Sequence, residues 1–162
     1  MNYRFLLLLF FLNFRAELKI GDVVKDFSLP DETGVLHQLS EFRGSRVALV
    51  FYPKDGSPYC KKQIESLKEA FIDLGKKGIV VLGINNDTME SHARFKRDFQ
   101  IPFSLLTATK AEIDYFGVAG WFGKAERKTF LINENGVLVH IIDDVKLQHH
   151  HQQILDGFSI KS

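Results

Sequence analysis

The residues best suited to chemistry lie in one short segment that contains the only cysteine of the chain, Cys60. An apolar run ends at Tyr52 and is followed by Pro53, Ser57 and Cys60 in the spacing P-x-x-x-[ST]-x-x-C. A cysteine in the first turn of a helix lies beside unpaired backbone N–H groups and the positive end of the helix dipole, which favour thiolate over thiol. Because the thiolate is the nucleophile, the segment predicts a reactive cysteine at a strand-to-helix turn.

Three other residues suit the reaction of a thiolate with a peroxide. Ser57 can place a hydroxyl group beside the incoming peroxide, and Pro53, with its fixed φ and no N–H, can wall one side of a pocket. The fixed positive charge that the reaction needs is predicted to come from Arg127, at the entrance to an apolar run over residues 129–132. If that strand pairs with the one that ends at Tyr52, Arg127 reaches the cysteine loop.

Each of these residues also has an ordinary structural interpretation. A lone cysteine is commonly a small buried hydrophobe, Ser57 is a suitable helix N-cap, and Pro53 can simply end a strand. Arg127 on its own would be a solvated surface charge. The joint occurrence of the four residue types around one apolar strand favours the catalytic interpretation.

Composition limits the possible partners and cofactors. The chain has 162 residues, 45% of them hydrophobic, and a formal net charge of +1, so it suits one globular domain with no bulk charge for nucleic acid or an anionic membrane surface. A single cysteine excludes an intrachain disulfide and a cysteine-based metal cluster, so a redox cycle requires an external thiol. Three consecutive histidines, His149 to His151, point in different directions on a helix. We therefore predict neither a metal nor a cofactor.

The N-terminal residues differ from the rest of the chain. Arg4 supplies a positive charge ahead of an unbroken apolar run, Phe5 to Leu12, which is shorter than the roughly 20 residues of a transmembrane helix. This pattern predicts a signal peptide or short anchor over residues 1–16, and a single domain over residues 17–162. The protein is then periplasmic or secreted, whereas a misassigned start would make it cytoplasmic.

The remaining pattern predicts the elements that must position the cysteine. Apolar runs over residues 47–52 and 79–84 have the character of central strands and enclose a helical pattern that includes Ile64, Leu67 and Leu74, which makes a βαβ unit. A second pair of strands, residues 129–132 and 137–142, flanks an Asn-Gly turn, which predicts an antiparallel hairpin. A small hairpin around residues 31–34 and helices over residues 91–99 and 152–155 complete the prediction.

These elements predict an α/β fold: a thioredoxin-like three-layer sandwich, with a mixed central sheet, helices on both faces and an N-terminal β-hairpin. The functional cysteine lies at the strand-to-helix turn, as in that fold. The C-x-x-C pair of that fold is missing, because Ser57 stands three residues before Cys60.

The cysteine segment resembles the active-site loop of the peroxiredoxins, most closely the bacterioferritin-comigratory or Q type. The resemblance extends from Leu18 to about Leu155 and includes residues 26–31, 39–44, 81–85, 102–106, 115–118 and 127–132. It implies that Cys60 is the peroxidatic cysteine, that Ser57 stands where Thr is more usual, that Pro53 is the pocket proline and that Arg127 is the charge partner. The position of a Q-type resolving cysteine is Glu65 here, and Tyr59 stands where Gly is usual.

The resemblance implies a one-Cys thiol peroxidase that acts on hydrogen peroxide and small organic hydroperoxides. Its implied partners are the hydroperoxide and an external reductant, either a thioredoxin-like protein or a small thiol, and the implied assembly is a monomer or weak homodimer. Two alternatives remain. One is a thioredoxin-fold binding or holdase protein whose turnover has decayed, which the residues at Ser57 and Tyr59 would fit. The other is a disulfide exchanger, which the absence of a second cysteine disfavours.

Overall fold

Strands and helices alternate along the chain, which the computed structural model describes over residues 17–160. The strands are β1 (Ser28–Pro30), β2 (Leu36–Gln38), β3 (Arg46–Phe51), β4 (Ile79–Asn85), β5 (Leu105–Thr107), β6 (Lys128–Ile132) and β7 (Leu138–Ile142). The α-helices are α1 (Pro58–Glu69), α2 (Phe71–Lys76), α3 (Met89–Phe99), α4 (Lys110–Tyr115) and α5 (His150–Ser159). Short 3-10 helices occupy Leu39–Phe42, Trp121–Gly123 and Leu147–His149. The predicted α/β class is confirmed.

A five-stranded mixed sheet in the order β5-β4-β3-β6-β7 forms the centre of the protein. Strand β3 is parallel to β4 and antiparallel to β6, so the predicted βαβ unit and the later hairpin share one sheet. The register pairs Phe51, the last residue of β3, with Lys128, the first residue of β6. The antiparallel pairing therefore brings the start of β6 next to the loop that follows β3.

Side chains of β3 alternate between two hydrophobic layers. Ala48 and Val50 pack in the layer that contains Ile64 of α1 and Ile154 of α5, while Leu49 packs on the opposite face. The opposite layer is covered by the N-terminal hairpin through Leu29, by the 3-10 helix that follows it through Leu39, and by α4 through Ile113. Full burial of one such aliphatic side chain contributes about 1.5–3 kcal/mol, which explains why a continuous apolar run forms the central strand. The three-layer sandwich with helices on both faces is confirmed.

The predicted N-terminal hairpin is also confirmed, with β1 antiparallel to β2. The carboxylate of Asp31 organises its turn: it accepts hydrogen bonds from the backbone N–H groups of Thr33 and Val35, and its second oxygen lies 2.7 Å from Nε2 of His37. Burial by itself raises the pKa of Asp31, but the hydrogen bonds from Thr33, His37 and Val35 outweigh it and lower the pKa to about 2. The turn therefore depends on an ionised carboxylate.

The structure corrects the predicted helix that follows the cysteine. This helix is interrupted at Ala70, which has φ −94° and ψ 1°, so two helices, α1 and α2, replace one. Ile72, an apolar residue of the same predicted helix, is exposed, whereas Leu74 is buried as the helical pattern predicts. Strand β5 and helix α4 were not predicted, because a three-residue strand and a six-residue helix are too short for a clear periodic pattern.

The other helices are confirmed. Helix α3 begins two residues earlier than predicted, since Thr88 caps it by accepting a hydrogen bond from the N–H of Ser91, and it ends at Phe99 as predicted.

None of the helices within residues 17–160 is both long and apolar enough to cross a membrane. The predicted signal peptide or anchor, residues 1–16, lies outside the described residues.

Candidate active site

The loop between β3 and α1 positions Cys60 in the first turn of a helix. After β3 ends at Phe51, Gly56 turns the chain with φ +73°, a conformation in which a Cβ atom would be strained. Ser57 is then the N-cap of α1 and Pro58 its first helical residue, where a missing N–H costs nothing. Cys60 is the third residue of α1 and is fully buried. The predicted strand-to-helix placement of the cysteine is thus confirmed.

Ser57 acts as the helix cap and lies beside the cysteine. Its Oγ accepts a hydrogen bond from the backbone N–H of Cys60 at 3.4 Å, and its carbonyl oxygen accepts one from the N–H of Lys61 at 2.9 Å. In the contact with Cys60 the hydroxyl oxygen is the acceptor, so the hydroxyl proton is left to donate to another group. The capping role and the role beside a substrate are therefore compatible.

Arg127 lies at the sulfur, although 67 residues separate it from Cys60 in the chain. Its Nη2 atom donates to Sγ of Cys60 at 3.4 Å, and its Nη1 atom donates to Oε1 of Gln63. The pairing of Phe51 with Lys128 causes this proximity, because it sets the residue before β6 beside the end of β3. A guanidinium group is charged at every physiological pH and offers two parallel donors, so it can hold both partners at once.

Gln63 was missed by the sequence reasoning. It lies three residues after Cys60, hence on the same face of α1, and its side chain is fully buried. A buried amide requires hydrogen-bond partners, and Gln63 has them in Arg127 and in Nδ1 of His150, which lies 3.3 Å from its Nε2 atom. The sequence did contain a signal for Gln63: it is a polar residue about one helical turn after Cys60, directly before the apolar residues of the same helix.

His150 and Thr129 extend this network. Nε2 of His150 lies 2.9 Å from Oγ1 of Thr129, and both side chains are fully buried. Burial first, and then electrostatic interactions with Arg127 and His151, lower the pKa of His150 to about 3. His151 faces a different partner, since its Nδ1 atom lies 2.9 Å from Oγ of Ser66. The consecutive histidines therefore do diverge, as predicted.

A second polar cluster, centred on Asp55, fixes the loop between β3 and α1. The carboxylate of Asp55 accepts hydrogen bonds from the hydroxyl groups of Tyr52 and Ser91 and lies 2.7 Å from Nδ1 of His92, while its backbone N–H donates to Asp87 at 2.8 Å. Burial by itself raises the pKa of Asp55, but the contacts with His92, Tyr52 and Ser91 outweigh it, and the pKa is lowered. The contacts with Ser91 and His92 tie the loop to α3 and thereby fix the entry into α1.

The remaining predicted residues have the following positions. Pro53 is half-buried at the start of the same loop, and its function as a pocket wall stays a prediction. Tyr59 is 65% exposed beside Cys60. Glu65, at the position of a resolving cysteine, is half-buried on α1 and pairs with Lys68 at 3.4 Å. Within residues 17–160, no group of three or more His, Cys, Asp or Glu residues is arranged to hold a metal ion.

Comparison with known proteins identifies the family of the chain. The AhpC/TSA family matches residues 20–141. Peroxiredoxin Bcp of Escherichia coli K12 is 37% identical over 147 residues, which cover 86% of this chain and 94% of that protein.

Solved structures agree in fold. Peroxidoxin BcpB of Mycobacterium tuberculosis has a TM-score of 0.81 at 27% identity and covers 90% of this chain and 100% of that one. A bacterioferritin comigratory protein of Xanthomonas campestris, whose structures concern alkyl peroxide reduction, has a TM-score of 0.78 at 25% identity and covers 88% of this chain and 96% of that one. The chain therefore belongs to the AhpC/TSA family, and within it to the peroxiredoxins of the Bcp and Q type.

Proposed function

We propose that this protein is a thiol-dependent peroxidase in which Cys60 reduces hydrogen peroxide and small organic hydroperoxides. The contact between Nη2 of Arg127 and Sγ of Cys60, at 3.4 Å in the first turn of α1, is the observation that carries the proposal. A fixed positive charge and a helix N-terminus both favour the anionic sulfur that attacks a peroxide. The family assignment and the alkyl peroxide reduction studied in the Xanthomonas campestris relative support the same reaction.

The first step is a two-electron oxidation of the sulfur. The Cys60 thiolate attacks one oxygen of the peroxide, an S–O bond forms, and the O–O bond breaks. The sulfur becomes a sulfenic acid that keeps the hydrogen of the attacked oxygen, and the second oxygen leaves as hydroxide or alkoxide and takes up a proton from solvent to give water or an alcohol. Arg127 stabilises the charge that moves from the sulfur to the leaving oxygen, and the hydroxyl group of Ser57 donates a hydrogen bond to the peroxide. Pro53 walls the pocket and keeps bulk water from the reacting atoms.

The second half of the cycle uses an external thiol. With one cysteine in the chain and Glu65 at the resolving position, no internal thiol can attack the sulfenic acid. An external thiol attacks the sulfur and releases water, and a second thiol then frees Cys60 by disulfide exchange. Because Sγ of Cys60 is fully buried, the first turn of α1 must open before a protein thiol such as that of a thioredoxin-like reductant can reach it.

A binding or holdase protein that retains the scaffold without turnover is the second candidate. Three exposed aromatic side chains favour it: Tyr59 next to the cysteine, and Trp121 and Phe122, which are 86% and 97% exposed. Adjacent exposed apolar side chains, such as Trp121 and Phe122, are typical of interaction sites.

The rate of Cys60 oxidation separates the two candidates. We would mix the reduced protein with hydrogen peroxide in a stopped-flow instrument, follow the fluorescence of Trp121, and confirm by mass that one oxygen atom is added. Cys60→Ser is the matched control, since it replaces only the sulfur. A rate orders of magnitude above that of a free thiol, absent in Cys60→Ser, is expected. A rate equal to that of a free thiol would leave the binding function as the better account.

We further propose that residues 1–16 direct export, with a monomer or weak homodimer as the working form. The positively charged start and the apolar run from Phe5 to Leu12 support export. Cell fractionation and N-terminal sequencing of the full chain test it, and an intact N-terminus in the cytoplasmic fraction would contradict it. Light scattering across a concentration series measures the assembly, and a stable larger oligomer would contradict that part.

A further inference from the structure

One buried group near the sulfur has no part in the proposed reaction. His150, at the start of α5, is fully buried and has no described hydrogen bond to Cys60, yet it is joined to Arg127 through a single side chain, Gln63. The imidazole of His150 has two hydrogen-bond partners, Gln63 and Thr129, and Gln63 is itself bonded to Arg127. His150 is therefore placed to orient Gln63.

The direction of each hydrogen bond follows from the arginine. A guanidinium group has donors only, so the oxygen of the Gln63 amide must face Arg127. The amide nitrogen, which is a donor, then faces Nδ1 of His150 at 3.3 Å. Nδ1 must therefore be the unprotonated, accepting nitrogen of the ring.

The protonation of the other ring nitrogen, Nε2, follows from that of Nδ1. Nε2 carries the hydrogen and donates it to Oγ1 of Thr129 at 2.9 Å. A doubly protonated ring would place a donor against the donor of Gln63 and a positive charge near Arg127, inside a fully buried cluster. The burial and the nearby Arg127 guanidinium that lower the pKa of His150 to about 3 agree with a neutral ring.

We propose that His150 is a positioning residue for the reaction of Cys60: its Nδ1 atom holds the Gln63 amide with the oxygen towards Arg127. The inference rests on the proposed function of Cys60 and Arg127. If the amide turned over, its NH2 group would meet the donors of Arg127, and the guanidinium would move away from Sγ of Cys60. In this way α5 contributes to the geometry at the sulfur, although none of the described hydrogen bonds joins α5 to Sγ of Cys60.

Two variants of His150 separate positioning from simple packing. In His150→Asn the short amide lies near the place of Nδ1 and keeps an acceptor for Gln63, but loses the bond to Thr129. In His150→Gln the longer amide lies near the place of Nε2, so the bond to Thr129 is kept and the acceptor for Gln63 is lost. Each variant thus removes one of the two hydrogen bonds, and each puts an amide in the same buried position.

The rate of Cys60 oxidation by hydrogen peroxide is the first measurement, with the melting temperature of each variant beside it. We expect His150→Gln to react about tenfold more slowly than the wild type and His150→Asn to stay within about threefold of it. Equal rates in the two variants, or rates that follow only their melting temperatures, would overturn the proposal. A wild-type rate no better than that of a free thiol would instead overturn the proposed function, so the two failures are distinguishable.

A second measurement needs no variant and applies even if both substitutions prevent folding. The nitrogen chemical shifts of His150 in the wild-type protein, measured by NMR at neutral pH, report which ring nitrogen carries the hydrogen. An unprotonated Nδ1 with a protonated Nε2 is expected. A hydrogen on Nδ1 would overturn the proposal, because the amide of Gln63 would then have no acceptor in His150.

Discussion

Replacing Arg127 by alanine removes the only group described here as donating to Sγ of Cys60. At 3.4 Å, two opposite unit charges interact with about 5 kcal/mol at an effective dielectric constant of about 20, and with about 1 kcal/mol in water. Arg127 is half-buried, so the loss lies between these limits, at about 2–3 kcal/mol. Since about 1.4 kcal/mol corresponds to a factor of ten in rate, we expect Arg127→Ala to slow the oxidation of Cys60 about 100-fold.

Arg127→Lys is a finer test, because it keeps the positive charge and removes the two parallel N–H donors of the guanidinium group. One ammonium group cannot occupy the positions of both Nη2, on the sulfur, and Nη1, on Gln63. The loss of one hydrogen bond of about 1 kcal/mol predicts a rate about fivefold below that of the wild type. The expected order of rates is therefore wild type, then Arg127→Lys, then Arg127→Ala.

The assay is stopped-flow oxidation of Cys60 by hydrogen peroxide at fixed ionic strength, with circular dichroism to show that each variant is folded. Arg97→Ala is the matched control, because it removes the same charge from a side chain that is 71% exposed and bonded only to Asp98 among its described contacts. It should react like the wild type. If Arg127→Ala reacts within twofold of the wild type while folded, the electrostatic reasoning is refuted.

Three further predictions concern the cap, the turn and the last helix. Ser57→Ala should lower the free energy of unfolding by about 1 kcal/mol and also slow the oxidation of Cys60, whereas Ser57→Thr should preserve both; urea unfolding and the same peroxide assay check this. Because the pKa of Asp31 is lowered to about 2, its ionised form stabilises the fold above about pH 4, and this stability is lost as the pH falls towards 2. Urea unfolding of Asp31→Asn between pH 2 and pH 5 should lack that part of the pH dependence, and a curve parallel to that of the wild type would argue against it. Gly157→Ala should lower the melting temperature, since its Cβ would lie 2.4 Å from Cδ1 of Leu131 at a cost of about 1–3 kcal/mol; an unchanged melting temperature would mean that α5 shifts freely on the sheet.

Much of the fold was readable from local pattern. The continuous apolar runs before Tyr52 and after Gly78 identified two central strands, and the Asn-Gly turn identified the β6–β7 hairpin. The pattern failed where the chain is interrupted: Ala70 breaks the helix after Cys60, and no periodicity marks a strand as short as β5. Such breaks are decided by tertiary packing, which overrides helix propensity.

The sequence by itself determined the position of Cys60 in a helical first turn, because the cap Ser57 and the first-turn Pro58 are local signals that act over a few residues. It also determined that any resolving thiol is external, since the chain has one cysteine. Only the tertiary structure decided that Arg127 meets the sulfur, because that contact depends on the antiparallel register between β3 and β6.

Only the tertiary structure decided, too, which side chains form the hydrogen-bond network next to Arg127. Gln63, His150 and Thr129 come from α1, α5 and β6, and nothing in their spacing along the chain relates one to another. They are brought together because the two helices pack on the same face of the sheet. Since these side chains are buried, their polar atoms are stable only when they form hydrogen bonds with one another. Local sequence thus specified the position of Cys60 in the first turn of α1, and long-range packing specified the charge and the hydrogen bonds next to its sulfur.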